Sequence, residues 1–381
     1  LSPVQRPMTP LPTARFSSRP LRFPVFGQWT PCRASERAPW HQAVRGRAAA
    51  VVVGVWLALA ASLTGAQAQS LLPSLGGDRA GLSGFQFTKI DVDPRSAAMG
   101  SSAMADATGP ASLYWNPALA ALSPRSELMT GYTTYVVDIP MNYVAGYARL
   151  GEFALGASLQ YLSSGEMDVT TEFAPSGTGQ TFRTSHYSVG LTASQRLTES
   201  FAYGLTLRYL HESFFGVTYP TFGLDFGFHY AIPATGLRFG VGISNFGLDA
   251  AAEGTLSRPD IDGAGDEILE DDLQTLLLPT RFSIAAAYDV LRTGPHSLLL
   301  TTQITNPSDN AERFGFGLEY GFMEQFFVRT GYQSGHEEGR LPSAGAGVRV
   351  SVGPRALHVD YAYSAFERLG SIHRLALRLV I

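Results

Sequence analysis

The stretch FAYGLTLRYL, residues 201–210, alternates between large apolar side chains and small or polar ones. Its odd positions, from Phe201 to Tyr209, are aromatic residues or leucine, whereas its even positions include Gly204, Thr206 and Arg208. A period of two residues is the pattern of a β-strand, because successive side chains of a strand point to opposite faces. This stretch therefore predicts a strand with one apolar face and one small or polar face.

The same pattern recurs from about residue 126 to the end of the chain. FGFGLEY at 314–320 repeats it, and in the last segment Leu375, Leu377 and Leu379 oppose Arg374, Ala376 and Arg378. The alternation predicts 14 strands, near residues 126–137, 141–150, 153–163, 183–197, 201–212, 218–231, 235–246, 278–290, 295–305, 311–321, 325–334, 341–352, 355–364 and 371–381. The regular spacing of these segments, more than any one of them, is the evidence.

Two architectures could produce so many strands, a soluble β-sandwich or propeller and a membrane barrel. The apolar face carries Phe, Tyr or Leu in nearly every segment, which is more than a two-sheet core of this size needs. Lipid outside and a polar lumen inside explain both faces. No run of 18 apolar residues follows the N-terminal leader, so helical membrane spans are not predicted. The predicted fold class is all-β, a transmembrane antiparallel β-barrel of about 14 strands.

The lengths of the predicted connections support a barrel. If the first strand rises from the periplasm, the periplasmic turns are short and lie near Gly151, Glu199, Pro233, Gly294, Glu324 and Pro354. The two longest connections, about 164–182 and 247–277, then lie outside the cell. Short periplasmic turns with long external loops are typical of bacterial outer-membrane barrels.

Composition and charge exclude several classes of function. Charged residues make up only 16% of the chain, and aromatic residues make up 11%. Residues 1–47 hold eight arginines and one acid, Glu36, which leaves 20 basic and 31 acidic residues in the rest, a net charge of −11. So acidic a body argues against nucleic acid as a partner. The single cysteine, Cys32, lies in the leader, so the body has neither a disulfide nor a cysteine-based metal site.

The N-terminal region has the features of a secretory leader. From Arg45 the sequence RGRAAAVVVGVWLALAASLTGAQAQS places two arginines before about 16 mostly apolar residues and ends in Ala66-Gln67-Ala68, an A-x-A cleavage pattern. A membrane anchor is the alternative, but the run is short for a span of about 20 residues. We therefore expect cleavage near Ala68 and location in the cell outer membrane.

The predicted organisation has four parts. Residues 1–44 are a disordered Arg/Pro-rich leader or a wrongly assigned start, and residues 45–68 are the signal peptide. Residues 69–125 do not alternate and are rich in small side chains. Because a barrel of 14 strands is wide enough to need filling, we expect this segment to be a plug inside residues 126–381, which form the barrel.

One step in the plug segment, Asn116-Pro117-Ala118, has a clear local meaning. Asn suits the N-cap of a helix and Pro suits its first position, so the step predicts a short helix up to Pro124. The two aromatic residues before it, Tyr114 and Trp115, would pack the plug against the inner wall.

The plug segment also resembles a known family. Phe87, Arg95-Ser96-Ala97-Ala98-Met99-Gly100, Ala103, Ala105-Asp106 and Tyr114-Trp115-Asn116-Pro117-Ala118 are similar to the N-terminal signature of the PorV/PorQ family. That family belongs to the wider group of FadL-like outer-membrane barrels. The similarity extends from about residue 84 to the C-terminus. Leu119 stands where the family often has Gly, which affects only the local turn.

The resemblance implies a plugged barrel of 14 strands with one of two roles. PorV/PorQ members include components of the type IX secretion system, and FadL-like members pass hydrophobic molecules through a lumen and a lateral opening. The expected partners are outer-membrane lipids together with secreted cargo proteins or secretion-system subunits, or else a hydrophobic small molecule. No cofactor is expected.

Polar residues on the small face of the strands are the candidates for lining the lumen: Asp225, His229, Arg329, His358, Asp360, Arg374 and Arg378. His358 and Asp360 share one strand face, so a barrel lipid hydrolase is the enzymatic alternative. No G-x-S-x-G motif places a serine beside them. Charge pairing inside the lumen is therefore the favoured interpretation, and no catalytic residue is predicted.

The acidic stretch DIDGAGDEILED, residues 260–271, resembles part of a calcium loop. Asp260 and Asp262 occupy the first and third ligand positions, but Ala264 replaces the next ligand, and Asp271 stands where a bidentate Glu is usual. A solvated acidic loop is the favoured interpretation, and calcium binding is the weaker one.

Overall fold

The structure, a computed structural model, describes residues 83–170, 172, 174–254, 256–258, 267–269, 273–335, 342–353 and 355–381, with the backbone only at 256–258, 267–269 and 352. The predicted leader and signal peptide lie outside these residues, as do Asp260, Asp262 and Asp271 of the candidate calcium loop.

Fourteen antiparallel strands form a closed barrel, which confirms the predicted fold class. They are β1 (Glu127–Thr134), β2 (Pro140–Leu150), β3 (Phe153–Asp168), β4 (Thr181–Arg196), β5 (Phe201–Phe214), β6 (Val217–Ile232), β7 (Leu237–Gly247), β11 (Arg281–Thr293), β12 (His296–Pro307), β13 (Arg313–Phe322), β14 (Phe326–Ser334), β15 (Ser343–Val352), β16 (Arg355–Phe366) and β17 (Gly370–Val380). Each strand pairs with its neighbour along the chain, and β1 pairs with β17 to close the ring.

Three short strands lie in the longest connection, between β7 and β11. They are β8 (Glu253–Gly254), β9 (Leu256–Arg258) and β10 (Glu267–Leu269). β8 adds to β6 at the rim of the barrel, and β9 pairs with β10. The sequence did not predict these strands, because each spans only two or three residues and shows no alternation.

The connections at one end of the barrel are short and those at the other end are longer, as the sequence predicted. One end, the turn end, has short connections such as Gly151-Glu152. The first and last strands also meet at this end, where Ile381 N donates to Ser126 O. The other end, the loop end, carries the connection between β7 and β11. β3 and β4 extend further toward this end than predicted, so that the loop between them shrinks to residues 169–180. A register shift between Ser163 and Glu166 allows the pairing to continue where the alternation is interrupted.

Burial follows the alternation along each strand. On β5, Tyr203, Leu205 and Leu207 are 38%, 40% and 46% exposed, whereas Thr206 and Arg208 are 0% and 4% exposed. The large apolar side chains therefore face outward and the small or polar ones face the lumen, which is the pattern of a barrel in lipid.

Residues 83–122 lie inside the barrel and form short helical turns. Two are α-helical, α1 (Pro94–Ala98) and α2 (Ser112–Trp115), and three are 3₁₀ turns (Gln86–Lys89, Gly109–Ala111 and Pro117–Leu122). A further 3₁₀ turn, Val136–Asp138, links β1 to β2. Among the described residues, no helix has the length and apolarity needed to span a membrane.

Side chains at the ends of these turns explain where they begin. Asp93 caps α1, because its Oδ2 accepts the Ser96 N–H at 2.9 Å. Asn116 caps the 3₁₀ turn that starts at Pro117, and its Oδ1 accepts the Ala118 N–H at 3.1 Å. Both caps are followed by Pro, which needs no hydrogen-bond acceptor at the first position of a helix.

Candidate functional site: the plugged lumen

The step Asn116-Pro117 packs against a part of the barrel wall where two facing residues are glycine and carry no side chain. Gly204 of β5 lies opposite Gly227 of β6, and a side chain on either glycine would collide with Asn116 or Pro117. Asn116 Nδ2 donates to Met104 O at 2.9 Å and to Phe228 O at 3.0 Å. This cross-strand glycine pair, the first glycine notch, therefore lets Asn116 bond the wall directly.

A second glycine notch receives Met99-Gly100. Gly317 of β13 lies opposite Gly331 of β14, and a side chain on either glycine would meet Met99 or the backbone of Gly100. Gly100 has a φ of +64°, a left-handed conformation that favours glycine. Two elements of the family motif thus lie where the plug backbone touches the wall.

A network of buried ion pairs joins the plug to five wall strands. Arg95 Nε donates to Glu319 at 2.8 Å, and Arg95 Nη2 donates to Asp106 at 2.7 Å. Asp106 and Glu319 each bind one further arginine of the wall, Arg238 and Arg329. We call the whole set the ion-pair belt: Arg95, Asp106, Arg238, Asp289, Glu319, Arg329 and Asp360.

Charge balance keeps the belt ionised despite its burial. Burial alone would lower the pKa of Arg95, but Glu319 and Asp106 outweigh burial and raise that pKa. Arg95 therefore remains a cation between two carboxylates. Removing one member of such a network leaves the others uncompensated away from water, which is strongly destabilising.

The aromatic pair before Asn116 binds mostly within the plug. Trp115 Nε1 donates to Asp93 at 2.9 Å, and Tyr114 OH donates to Thr88 O at 2.9 Å. Burial raises the pKa of Asp93, while the Ser96 N–H and Trp115 oppose that shift. The wall contact of Tyr114 is with Arg281, whose guanidinium lies 5.3 Å from the ring centre. Trp115 thus ties together two turns of the plug.

The structure places the seven predicted lumen residues on the inner face, with separate partners. Asp225 binds Arg208 at 2.5 Å, and Arg374 donates to Asp91 O at 3.3 Å. Arg329 and Asp360 belong to the belt, at 2.5 Å from each other. The remaining three are His229, buried beside the belt, and His358 and Arg378, which bond each other at 2.8 Å.

His358 and Asp360 do not form a catalytic pair in this arrangement. His358 Nδ1 is bonded to Arg378, and Asp360 is bonded to Arg329, so the carboxylate does not orient the imidazole. Across the part of the chain that the structure describes, no three His, Cys, Asp or Glu side chains are grouped as metal ligands.

A cavity of about 420 Å³ lies between the plug and the loop end of the barrel. Plug residues Lys89 and Tyr114 line it together with Val136, Pro307 and Leu369, which belong to the loop end of the barrel. The charged side chains that line it are Lys89, Asp91, Arg281, Arg313 and Arg374.

Neither the ion-pair belt nor the glycine notches were predicted from the sequence. Arg95 and Glu319 are 224 positions apart, and no local pattern predicts that they meet. The notches did leave a signal, because inward-facing positions such as Gly317 and Gly227 are glycine where other strands have polar residues.

Comparison with known proteins agrees with this geometry. The family model described as "Type IX secretion system protein PorV" matches residues 77–218, which include the described plug and strands β1–β5. A search of curated proteins found no significant match.

Solved structures of similar fold include two toluene transporters and a hydrocarbon channel. The Ralstonia pickettii toluene transporter TbuX is 14% identical with a TM-score of 0.51, and the match covers 79% of this chain and 98% of TbuX. The Pseudomonas putida toluene transporter TodX is 13% identical with a TM-score of 0.53, covering 76% of this chain and 98% of TodX. The CymD monoaromatic hydrocarbon channel is 12% identical with a TM-score of 0.52, covering 76% of this chain and 96% of CymD.

At these identities the solved structures show the fold alone, a closed antiparallel β-barrel. The family model adds a sequence match over the segment that carries Met99-Gly100 and Asn116-Pro117. The resemblance to PorV inferred from those motifs is therefore confirmed over residues 77–218, and the chain has a 14-stranded barrel fold similar to those of TbuX and TodX.

Proposed function

We propose that this protein acts in type IX secretion as a plugged barrel that engages secreted cargo proteins or secretion-system subunits. The observation that carries the proposal is the PorV family match, which covers the described plug and strands β1–β5. It therefore includes Gly204, the glycine that β5 contributes to the first notch. What the family shares with this chain thus includes the parts that close the lumen. A barrel closed in this way is suited to docking a protein at its rim more than to conducting it through the lumen.

The ion-pair belt and the notches support a permanent plug. Displacing the plug would separate Arg95 from Glu319 and Asp106 from Arg238. The buried charges left on the wall would then have lost their partners, which is strongly destabilising. The belt also occupies Arg329 and Asp360, two of the polar candidates of the lumen. A lipid hydrolase is the least supported role, because His358 and Asp360 have separate arginine partners.

Deletion of the gene in its own host tests the secretion role. We expect proteins that leave the cell by type IX secretion to disappear from the surface and to accumulate in the periplasm. A plasmid copy of the wild-type gene should restore them, and cross-linking of that copy in intact cells should capture cargo or secretion-system subunits. Normal surface levels of those proteins in the deletion strain would contradict the proposal.

A channel for hydrophobic small molecules is the second candidate, and the fold shared with TbuX, TodX and CymD favours it. Uptake of labelled toluene into liposomes that contain the purified protein tests it directly. The secretion proposal predicts no uptake above that of protein-free liposomes. Uptake that rises with the amount of protein would support the channel instead.

A further inference from the structure

The cavity at the loop end has more basic than acidic groups. Four of the five charged side chains that line it are cations, and Asp91 is the acid. Lys89 has a carboxylate partner, Asp309, at 2.5 Å.

Arg281 is the cation that carries the inference. Its Nη1 donates to Tyr114 OH at 3.2 Å, and its guanidinium lies over the same ring. Its Nε is buried without a hydrogen-bond partner, and among the described residues no carboxylate lies within ion-pair distance of it. Arg281 as a whole is half-buried, so its guanidinium has lost part of its contact with water, and a cation in that position is stabilised by an anion beside it.

The neighbouring cations make an anion more favourable still. Burial lowers the pKa of Lys89 to about 8 against the opposing hydrogen bond to Asp309, and the charges of Arg313 and Arg281 contribute to the lowering. Both arginines therefore lie close enough to Lys89 for their charges to repel it. A bound anion would relieve that repulsion.

We propose that this cavity binds a small hydrophilic oxyanion, a carboxylate or a phosphate, at Arg281 with Lys89 and Arg313 beside it. A guanidinium matches the two oxygens of either group with parallel hydrogen bonds. Hydroxyl and amide groups of Ser283, Thr305 and Asn310 line the same space and suit a polar ligand. A volume of about 420 Å³ lies at the small end of the range for ligand sites.

An aromatic hydrocarbon fits this cavity poorly. It would take water from the charged and amide groups and give them no hydrogen bond in return, which is costly. The inference is independent of the role in secretion, because it rests on Arg281 and its neighbours alone.

Titration calorimetry on the purified full chain in detergent at low ionic strength tests the inference, with citrate and inorganic phosphate as separate probes. We expect the wild-type protein to bind at least one of them. Binding of citrate alone would assign a carboxylate ligand, and binding of phosphate alone would assign a phosphate. Arg281→Gln, which removes the charge and keeps a polar amide, should weaken binding at least about tenfold.

Two further variants make the result decisive. Arg281→Lys keeps the charge but not the paired donors, and should lose less binding than Arg281→Gln does. Arg183→Gln removes an exposed arginine at the same end of the barrel, where it pairs with Glu166 at 3.4 Å, and should bind as the wild type does. Absence of binding to both probes, equal binding by Arg281→Gln, or equal losses in all three variants would overturn the inference.

Discussion

Replacing Arg95 with methionine is expected to lower the free energy of unfolding by about 3–5 kcal/mol and to loosen the plug. With Arg95 present, the belt has four carboxylates and three guanidinium groups, and without it the carboxylates exceed the cations by two. Glu319 and Asp106 would then repel each other across the plug instead of binding one cation. Methionine keeps much of the length of the side chain, so that the effect reports the charge.

Two measurements check this expectation. Urea unfolding of the protein in lipid vesicles gives the free energy, and planar-bilayer recording shows whether the lumen conducts ions. We expect the wild-type protein to be silent and Arg95→Met to show openings. Arg196→Met is the matched control, because Arg196 pairs with Glu152 at the exposed rim, where water screens the ion pair and its contribution to stability is small. Similar behaviour of the two variants would contradict the role assigned to the belt.

Replacing Gly227 with alanine is expected to displace the plug at the first notch. The new methyl group would occupy the place of the Asn116 side chain and would also meet the Pro117 ring. Asn116 would then lose its bond to Phe228 O or move together with the Met104 backbone. Overpacking of this kind destabilises proteins by about 1–3 kcal/mol.

Gly223 offers a control on the same strand and the same face. A methyl group there would make only ordinary contacts with Leu210 and Leu278, so that Gly223→Ala should behave as the wild-type protein does. The measurement is the temperature at which the unboiled protein loses its folded mobility in gels. If both alanine variants lose it at the wild-type temperature, the first notch does not hold the plug.

The barrel could be predicted from the sequence because each strand carries its own evidence. In 201–210 the alternation alone assigns Tyr203 to the lipid face and Arg208 to the lumen, and burial agrees. No long-range information is needed for that assignment, since the period of a strand is local.

The contacts of the plug could not be predicted in the same way. Arg95 meets Glu319 only because the barrel closes around the plug. The sequence around either residue does not distinguish it from a charged residue exposed to water. The extension of β3 and β4 was missed for a related reason, because the register shift after Ser163 breaks the alternation. Which plug and wall residues lie at the same height in the lumen, and so can meet, depends on the assembled barrel and not on any one segment.

A disulfide between plug and wall tests the central claim most directly. Ser102 Oγ of the plug lies 2.6 Å from Thr301 Oγ1 of β12, so cysteines at these two positions have the separation that a disulfide needs. The natural chain has one cysteine, Cys32, in the leader. Ser102→Cys with Ile304→Cys is the control, because Ile304 lies on the same strand but faces outward.

The measurement is the fraction of cross-linked protein after mild oxidation of intact outer membranes, read from gel mobility with and without reductant. A plug seated in the lumen predicts nearly complete cross-linking of the Ser102→Cys/Thr301→Cys protein and none in the control. Free thiols at both positions in folded, membrane-inserted protein would contradict a plug seated in this lumen.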